Sequence, residues 1–563
     1  MSLSGAELLI YLLEKHGIKQ IFGIPGGSIL PFYDCLQRSQ INHVLARHEQ
    51  GAAFMAQGWA RSTGEIGVCV ACSGPGTTNL ITAIADAQMD SIGILAITGQ
   101  VPKSQMGRDA FQETDTFTLM ASITKHHWLV EDAEALIDII PNAIEIIRGP
   151  RPGPVIIDIP KDVQADIVNL DFDQIDQQLT ASKLTDRRPY FKPSNTLEMD
   201  LNHTLQLLCQ AKRPLLLIGG GVVSSGAQHQ VRQFIEQTNI GLITTMMGLG
   251  VLNRDHPAML GMIGMHGDPL ANMSLVECDL LLALGTRFDE RAIGKPSTFC
   301  PQANIIHVDI DPIELGKMLT PSLAICCDMG KFLNALTMKI NYQFDKNGAF
   351  KNPVRTTDNR TYRSNTAIPS ILTWLRQLTD ERMIFITDVG QHQMWAAQAL
   401  SFSHPRQWIT SGGLGTMGFG LPTAIGAACA KPHHTIVCIS GDGSLMMNLQ
   451  ELDTLAALDL NVKIIVLHNN HLGLVRQQQV LFYQSNLVAT QNQRCLDFAK
   501  IAKAMGIAST TLSDNVEFSA DLRVLQSILK TAGPHLIEYQ LSAQRMVFPT
   551  VAAGNANHQM ILE

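Results

Sequence analysis

Apolar residues along this chain gather in short runs that are separated by longer segments with helical spacing. Residues 94–97 and 155–159 are typical, because isoleucine, valine and alanine follow one another there with hardly a polar side chain between them. Strands without polar alternation are buried on both faces, and such strands are typical of parallel sheets covered by helices. The pattern therefore predicts an α/β fold built from doubly wound parallel sheets.

The same rhythm of apolar run and helix occurs three times, which predicts three domains. Apolar runs lie at residues 21–23, 43–45, 67–70, 94–97 and 155–159, then at 214–218, 280–284 and 305–310, and finally at 384–388, 435–440, 462–467 and 535–539. Two polar stretches divide these groups. We predict domains at residues 1–165, 196–340 and 365–563, with linkers at 166–195 and 341–364. The length of 563 residues agrees with this number at roughly 100–200 residues per domain.

Charge and composition narrow the class of partner. The formal net charge is −8 at pH 7, and lysine and arginine form no basic block, which argues against a nucleic-acid surface. No apolar run is long enough to cross a bilayer, and the first residues lack the pattern of a signal peptide. Most cysteines lie within apolar segments, as in reduced proteins. We predict a cytoplasmic protein that binds neither nucleic acid nor membrane.

The strongest chemical signal is the turn Gly441-Asp442-Gly443, which follows the apolar run at 435–440. Glycine lets the backbone approach a ligand closely, while Asp442 supplies a carboxylate. The next apolar run, 462–467, delivers Asn469 to the same edge of the predicted sheet. A carboxylate, an amide oxygen and a backbone carbonyl suit Mg²⁺ that also holds phosphate oxygens. An ordinary Gly-rich turn is the alternative, but the spacing from this turn to Asn469 resembles the signature of thiamine diphosphate (ThDP) enzymes.

Glu49 is the candidate acid–base residue. Alone, a glutamate at the start of a helix is most simply explained by the helix dipole. Beside a ThDP site it acquires a specific role, because a carboxyl group bonded to the pyrimidine N1′ favours the imino tautomer that deprotonates the cofactor.

Several loops add candidate contacts, although each has an ordinary structural explanation. Asn79 follows a Gly-rich turn, where the alternative is a capped tight turn, and Phe111 with Gln112 offers an apolar wall and a donor. The stretch 413–418 matches G-x-G-x-x-G, but no clear strand precedes it and no acid follows at the ribose distance. Met417 is better explained as an apolar support for the cofactor rings.

The middle domain carries signs of a nucleotide site. The three glycines at 219–221 follow an apolar run, and Asp309 and Asp328 lie at or near strand ends. A loop with two glycines occurs at 264–267, and a loop with one glycine and two arginines occurs at 285–291. These features favour a bound nucleotide over a purely structural interpretation.

These segments together resemble one family closely, the large catalytic subunit of acetohydroxyacid synthase (acetolactate synthase), a ThDP enzyme. The matching segments occur in order over nearly the whole chain, at residues 23–27, 47–51, 73–76, 109–113, 151–154, 160–162, 261–267, 287–288, 388–395, 413–420 and 441–444. The resemblance implies that the enzyme decarboxylates pyruvate and transfers the hydroxyethyl group to pyruvate or 2-oxobutanoate, in the biosynthesis of valine, leucine and isoleucine.

The resemblance also implies roles for individual residues. Glu49 would activate ThDP, and Asp442, Asn469 and the backbone carbonyl of His471 would bind Mg²⁺. The remaining ThDP contacts would be Pro75, Asn79, Gly390, Gln391, His392, Gly415, Met417, Gly441, Gly443 and Ser444. Gln112, Lys161 and Arg291 would line the reaction site, with Arg291 binding the carboxylate of the second substrate. FAD, without net redox, would contact Arg151, Gly220, Gly221, Thr245, Met265, His266, Gly285, Arg287, Asp289, Asp309 and Asp328.

Glu49 and Asp442 belong to different domains, so the resemblance implies active sites between two subunits of a homodimer or tetramer. A separate small regulatory subunit is also implied. Two enzyme alternatives remain, another ThDP-dependent 2-oxoacid decarboxylase or a catabolic acetolactate synthase without FAD. A catalytically silent subunit would be expected to lack Glu49, Asp442 or Asn469, and all three are present.

The chain departs from the family pattern at several positions. Glu290 replaces the usual aspartate, Gly93 stands where proline is usual, and Ala552-Ala553 replaces Pro-Pro, which predicts a less rigid C-terminal tail. Gln478 occupies a position where many members have a tryptophan that favours 2-oxobutanoate. We therefore predict weaker discrimination between pyruvate and 2-oxobutanoate.

Overall fold

The structure is a computed structural model that describes residues 3–184, 196–347, 368–514 and 518–563. Three six-stranded sheets follow one another along the chain, and every pair of neighbouring strands within each of them is parallel. Helices cover both faces of these sheets, so the predicted α/β class is confirmed.

The strands of each sheet lie side by side in an order that differs from their order along the chain. From one edge to the other, the first sheet consists of Asn42–Leu45, Gln20–Gly23, Gly67–Ala71, Ile94–Gln100, Val155–Pro160 and His126–Leu129. The second consists of Met259–Met262, Gly241–Thr244, Pro214–Ile218, Leu280–Leu284, Asn304–Asp309 and Leu323–Cys326. The third consists of Trp408–Ile409, Met383–Thr387, Thr435–Gly441, Val462–His468, His535–Gln540 and Ala508–Ser513. A short antiparallel pair, Leu3–Ser4 with Ile167–Val168, closes the first domain.

The helices alternate with these strands. Those of the first domain are Gly5–Lys15, Leu30–Leu36, Glu49–Thr63, Pro75–Asp90, Thr116–Met120, Leu136–Arg148, Lys161–Ala165 and Phe172–Leu184. Those of the second are Leu197–Gln210, Gly220–Ser225, Gln228–Thr238, Pro269–Glu277, Glu290–Ile293 and Met329–Asn347. Those of the third are Ser370–Leu378, Gln391–Ala399, Gly420–Ala430, Asp442–Leu445, Glu451–Leu458, Gly473–Phe482, Phe498–Ala504 and Phe518–Lys530. Single 3₁₀ turns lie at Lys103–Gln105, Met246–Gly248 and Pro296–Thr298.

The segment predicted as the first linker contains structure that the polar composition does not suggest. Residues Phe172–Leu184 form a helix, and Ile175 and Leu179 are buried against the core of the first domain. Two apolar side chains four residues apart are sufficient to anchor one helical face, although the segment is otherwise polar. The rest of this linker, 185–195, and most of the second, 348–364, lie outside the described residues, so the domain boundaries remain predictions.

Strand order determines where ligands can bind. In each sheet, the second strand in the chain pairs with one side of the first strand, and a later strand pairs with its other side. The connections therefore leave in opposite directions, which opens a crevice at the carboxyl ends of these two central strands. In the third sheet these strands are Met383–Thr387 and Thr435–Gly441, which lead to Asp388 and Asp442. In the second they lead to Gly219 and Gly285. The glycine-rich loops singled out in the sequence therefore lie at the places where doubly wound sheets bind ligands.

The first and third domains contact each other through two glycines. The helix Glu49–Thr63 packs on the helix Gly420–Ala430. A Cβ at Gly58 would lie 2.0 Å from the carbonyl oxygen of Thr423, and one at Gly426 would lie 1.9 Å from that of Met55. The helices touch backbone to backbone, so any larger residue at either glycine would push the two domains apart. Within the described ranges, no helix is both long and apolar enough to cross a membrane.

Candidate active site

One cavity lies at the crevice of the third sheet. Its lining includes Gly390, Gln391, His392, Met417, Gly441, Asp442, Gly443, Ser444, Asn469 and His471. All the cofactor and metal residues predicted in this domain except Gly415 thus line one cavity. Gly415 lies in the same loop as Met417 and has a φ of +70°, which favours glycine.

The predicted magnesium ligands lie together in this cavity. Asp442 is buried, its Oδ2 accepts a hydrogen bond of 3.1 Å from Asn492 Nδ2, and burial raises the pKa of its carboxyl group. Asn469 Oδ1 accepts from the backbone N–H of His471 at 3.0 Å, which fixes the orientation of the amide. Among the described residues no three His, Cys, Asp or Glu side chains cluster as metal ligands. This donor set fits Mg²⁺, which retains water or phosphate oxygens, and is a poor site for zinc.

The wall of this cavity fits a diphosphate group. Gly390 has a φ of +150°, and a Cβ there or at Gly441 would come within 2.8–2.9 Å of the His392 ring. The buried Nε2 of His392 has no hydrogen-bond partner within the described part of the chain, and burial lowers the pKa of this imidazole to about 3. A neutral imidazole with an unsatisfied nitrogen is therefore available to a ligand. Ser444 donates its hydroxyl to the carbonyl of Val389 at 2.8 Å, which joins the two loops.

Asp388 holds the loop that carries Met417. Its carboxylate accepts N–H bonds from Gly418 at 2.8 Å and Gly420 at 3.2 Å. The side chain is buried, and burial raises its pKa to about 6. This role was not anticipated from the sequence, although a carboxylate at the end of an apolar strand was a usable signal.

Glu49 lies in the first domain, at the first position of the helix Glu49–Thr63. Its Oε2 accepts a 2.9 Å hydrogen bond from Asn79 Nδ2, so the two predicted ThDP contacts of this domain lie together. Pro75 opens the neighbouring helix and is exposed. Gln112 is also exposed and adopts a φ of +59°. It packs against Gly74, because a Cβ added at Gly74 would lie 2.9 Å from the Cβ of Gln112.

Within one chain, the two halves of the predicted ThDP site do not line the same cavity. The cavity around Asp442 is lined by residues 389–475, all of the third domain, whereas Glu49 bonds to Asn79 of the first. Lys161, at the start of the helix Lys161–Ala165, is exposed, and Phe111 beside Gln112 is 87% exposed. Phe111 and the predicted site residues Gln112 and Lys161 therefore lie on the surface of the single chain.

A second cavity of about 460 Å³ adjoins the first and contains Arg291. Its lining includes Met265, His266, Arg291, Leu474, Gln477, Gln478, Leu481, Ala552 and Ala553. Leu474 also lines the cavity around Asp442, so the two cavities are neighbours. The Arg291 guanidinium is exposed, with its Nη1 3.5 Å from Met265 Sδ and its Nε 3.6 Å from Glu290. Burial lowers the pKa of His266 to about 4, so Arg291 is the cation available to an anionic ligand.

The C-terminal tail closes this second cavity and is anchored on both sides of Ala552 and Ala553. The N–H of Val551 donates to the carbonyl of Met265 at 2.9 Å. Asn557 Nδ2 donates to the carbonyl of Ala292 at 2.7 Å, and Lys295 N–H donates to the carbonyl of Asn555 at 3.0 Å. The tail thus supports the loop that carries Arg291.

A third cavity of about 550 Å³ lies between the first, second and third domains. Nine of the predicted FAD residues line it, namely Arg151, Gly220, Gly221, Thr245, Gly285, Arg287, Asp289, Asp309 and Asp328. The cradle fits an extended nucleotide, because a Cβ at Gly221 would lie 2.7 Å from Gly285 Cα and narrow the crevice. Arg151 Nη1 bonds to Asp311 at 2.8 Å and Glu314 at 2.7 Å.

Comparison with known proteins extends over the whole chain. Three family models match, the thiamine pyrophosphate enzyme N-terminal TPP binding domain at residues 3–119, the central domain at 201–336 and the C-terminal TPP binding domain at 388–539. The large subunit of acetolactate synthase isozyme 1 from Escherichia coli K12 is 46% identical, covering 100% of this chain and 98% of the relative. The chain belongs to the acetolactate synthase large-subunit family. The isozyme 2 large subunit is 42% identical, covering 99% of each chain. Chloroplastic acetolactate synthase 1 from Zea mays is 42% identical, covering 99% of this chain and 89% of the relative.

Membership of the acetolactate synthase family confirms the resemblance that the sequence motifs gave, and ThDP is the cofactor of this enzyme. The other two residues predicted for FAD, Met265 and His266, line the cavity that contains Arg291. Both follow the edge strand Met259–Met262, whereas the third cavity opens between the central strands of the same sheet. The assignment of all eleven residues to FAD stays a prediction.

Proposed function

We propose that this chain, as an acetolactate synthase, decarboxylates pyruvate and joins the remaining two-carbon unit to a second 2-oxoacid. The products are 2-acetolactate from pyruvate and 2-aceto-2-hydroxybutanoate from 2-oxobutanoate. These are precursors of valine, leucine and isoleucine, so the enzyme belongs to branched-chain amino acid biosynthesis.

The observation that supports a synthase most directly is the pairing of two cavities. The cavity of Arg291 adjoins that of Asp442 through Leu474, and Arg291 offers an exposed guanidinium. A guanidinium matches the geometry of a carboxylate, which every 2-oxoacid acceptor carries. A simple decarboxylase has no second substrate to bind and no need of such a cation.

The chemistry divides between cofactor and protein. When bound, ThDP supplies the nucleophilic carbon and takes up the electrons released with CO₂. Asn79 orients the carboxylate of Glu49, which would share a proton with the pyrimidine nitrogen of bound ThDP. His392, Gln391 and Ser444 would hold the diphosphate, and Met417 would support the rings. Arg291 binds the acceptor carboxylate, while Gln112 and Lys161 complete the reaction site.

Two further groups belong to the proposal. Mg²⁺ would be held by Asp442, Asn469 and the carbonyl of His471, which line one cavity with the diphosphate residues. FAD would occupy the third cavity, where the glycine cradle and the arginines 151 and 287 suit an extended nucleotide with a diphosphate.

The active enzyme is proposed to be a homodimer or a tetramer, with active sites between subunits. Glu49 is not among the residues that line the cavity of Asp442, which supports this, because a partner chain can bring the two halves together. The relatives are named large subunits, which supports a separate small regulatory subunit. A cytoplasmic location completes the proposal.

The test is acetolactate formation from pyruvate by the purified chain with ThDP and Mg²⁺, with FAD added or withheld. We expect acetolactate that depends on all three. The matched variant Glu49→Gln keeps the size of the side chain and should abolish the product. Acetaldehyde without acetolactate would contradict the proposal and indicate a decarboxylase. Acetolactate that does not need FAD would contradict only the FAD site and indicate a catabolic-type enzyme.

A further inference from the structure

The segment that carries Glu49 is held by a residue of the third domain that lies about 400 positions later in the chain. Glu451, at the first position of the helix Glu451–Leu458, has no exposed surface. Its Oε1 accepts the backbone N–H of Arg47 and of His48, each at 3.0 Å. These two residues directly precede Glu49. One carboxylate of the third domain therefore fixes the position at which the helix of Glu49 begins.

Gly51 shows how closely the two groups fit. A Cβ at Gly51 would lie 2.5 Å from Glu451 Oε1 and 2.9 Å from its Cδ. No real Cβ reaches such a contact, so any side chain at position 51 would displace Glu451 or the segment it holds. The close contact at Gly51 and the two hydrogen bonds from Arg47 and His48 both show that Glu451 packs tightly against the segment before the helix of Glu49.

Two neighbouring residues keep Glu451 in place. Its Oε2 accepts a 2.7 Å hydrogen bond from the buried hydroxyl of Thr454, one turn further along the helix. Asn448 Nδ2 bonds to Gln50 Oε1 at 3.2 Å and to the carbonyl of Gly418 at 2.7 Å. The same short stretch of the third domain thus contacts the segment of Glu49 and the loop of Met417.

We propose that Glu451 is a positioning residue for ThDP activation, which it serves by fixing the backbone from which Glu49 reaches the cofactor. The inference rests on the proposed role of Glu49 and adds a residue outside the cofactor pocket. A carboxylate that must share a proton with one ring nitrogen tolerates little displacement, and misplacement of about 1 Å can slow a reaction about a hundredfold. Glu451 acts through the backbone and touches neither substrate nor cofactor.

The direct readout is the activation step itself. The C2 proton of bound ThDP exchanges with deuterium when the enzyme is diluted into D₂O, and acid quenching followed by NMR measures the rate. We expect Glu451→Ala to slow this exchange by about a hundredfold. The dissociation constant for ThDP with Mg²⁺ should change less than about twofold, because the diphosphate residues remain in place. Glu451→Gln retains an oxygen acceptor and should recover most of the rate.

A double-substitution cycle separates positioning from general damage. Gly51→Ala alone should slow exchange, because the new methyl group displaces Glu451. In the Glu451→Ala background the same substitution should have little further effect, since the group it would contact is gone. Asp453→Asn is the matched control. The Asp453 side chain is more than half exposed, and within the described ranges its carboxylate bonds only to the Arg47 side chain, at 2.6 Å. Exchange should therefore stay within about twofold of the parent.

Additive effects of Gly51→Ala and Glu451→Ala would overturn the inference. So would normal exchange in Glu451→Ala with lower thermal stability, because that result describes a structural residue alone. If Glu451→Ala does not fold, Glu451→Gln and Gly51→Ala still decide the question. Wild-type protein that exchanges the C2 proton but forms no acetolactate would refute the proposed function and leave this inference standing.

Discussion

Gln478 lines the cavity of Arg291, and the family resemblance predicts a tryptophan at this position. A 2-oxobutanoate bound in this cavity would meet a polar amide beside its extra methylene. We expect Gln478→Trp to raise the preference for 2-oxobutanoate over pyruvate by about 10–200-fold, because one methylene in an apolar pocket contributes about 1–3 kcal/mol. The ratio of the two products, measured with both acceptors present, tests this expectation.

Gln478→Leu provides the control for this substitution, since it adds apolar surface without an aromatic ring and should give a smaller gain. A product ratio that does not respond to either variant would mean that this wall does not select the acceptor. An already strong preference in the parent enzyme would contradict the prediction of weak discrimination.

Asp158 makes a pH-dependent contribution to stability. It is buried in the first sheet, where its oxygens accept bonds from Thr98 at 2.6 Å and Gln100 at 2.9 Å, and burial raises its pKa from 3.8 to about 6. Between pH 3.8 and about 6, the carboxyl group of Asp158 therefore binds its proton more tightly in the folded protein than in the unfolded chain. The free energy of unfolding therefore falls as pH rises through this window, by about 3 kcal/mol in total.

The variant Asp158→Asn does not titrate, and its amide can still bond to Thr98 and Gln100. We expect the melting temperature of Asp158→Asn to rise relative to that of the parent as pH rises from 5 to 7. The difference should change by several degrees for a domain of this size. Melting curves of both proteins across this range test the prediction. A constant difference between the two proteins at all pH values would contradict it.

At the scale of elements, the loop before Phe419 depends on a buried ionic cluster. Arg61 bonds to Asp86 at 3.0 Å and to Asp90 at 2.9 Å, and all three side chains are at most 5% exposed. Asp90 accepts the N–H groups of Gly412 and Gly413, and Asp86 accepts the hydroxyl of Thr416. The helices of the first domain thus hold the loop that leads to Met417.

We expect Arg61→Met to lower the free energy of unfolding by about 3–5 kcal/mol, because it leaves two carboxylates buried without a cation. Denaturant unfolding measures this loss. The control is Arg38→Met, which removes an exposed pair with Asp34 and should cost less than about 1 kcal/mol. Equal losses in the two variants would show that the buried cluster has no special importance.

The elements also show how far the sequence could be interpreted. The central strands, such as Pro214–Ile218 and Leu280–Leu284, were predicted with the correct limits because burial on both faces makes their sequences continuously apolar. Most strands that were missed lie at sheet edges, among them His126–Leu129 and Ala508–Ser513. Their exposed faces carry histidine, serine and threonine, which do not distinguish a strand from a loop.

The candidate site, like the strands, could be predicted only in part from the sequence. Asp442, Asn469 and Arg291 carry recognisable motifs, and the structure brings Asp442 and Asn469 to one cavity. Glu451 was not predictable, because its contact with the segment before Glu49 joins residues about 400 positions apart. A single sequence contains no signal for such a pairing.

At the scale of the whole molecule, an active site shared between two subunits predicts complementation between inactive chains, because Glu49 does not line the cavity of Asp442. Glu49→Gln and Asp442→Asn should each abolish acetolactate formation alone. Co-expressed in equal amounts, about half of the dimers contain one chain of each kind, and each such dimer has one intact site of two. Recovered activity should approach about a quarter of the parent value. No recovery, with mixed dimers present, would place each active site within a single chain.

The contact of Gly58 with Thr423 and of Gly426 with Met55 has a consequence for how the enzyme opens. Because the two helices meet backbone to backbone, we expect the first and third domains of one chain to move as a unit. The Gly473–Phe482 helix and the C-terminal tail border the cavity of Arg291. We therefore expect substrate access to depend on these two elements and not on movement between the two domains.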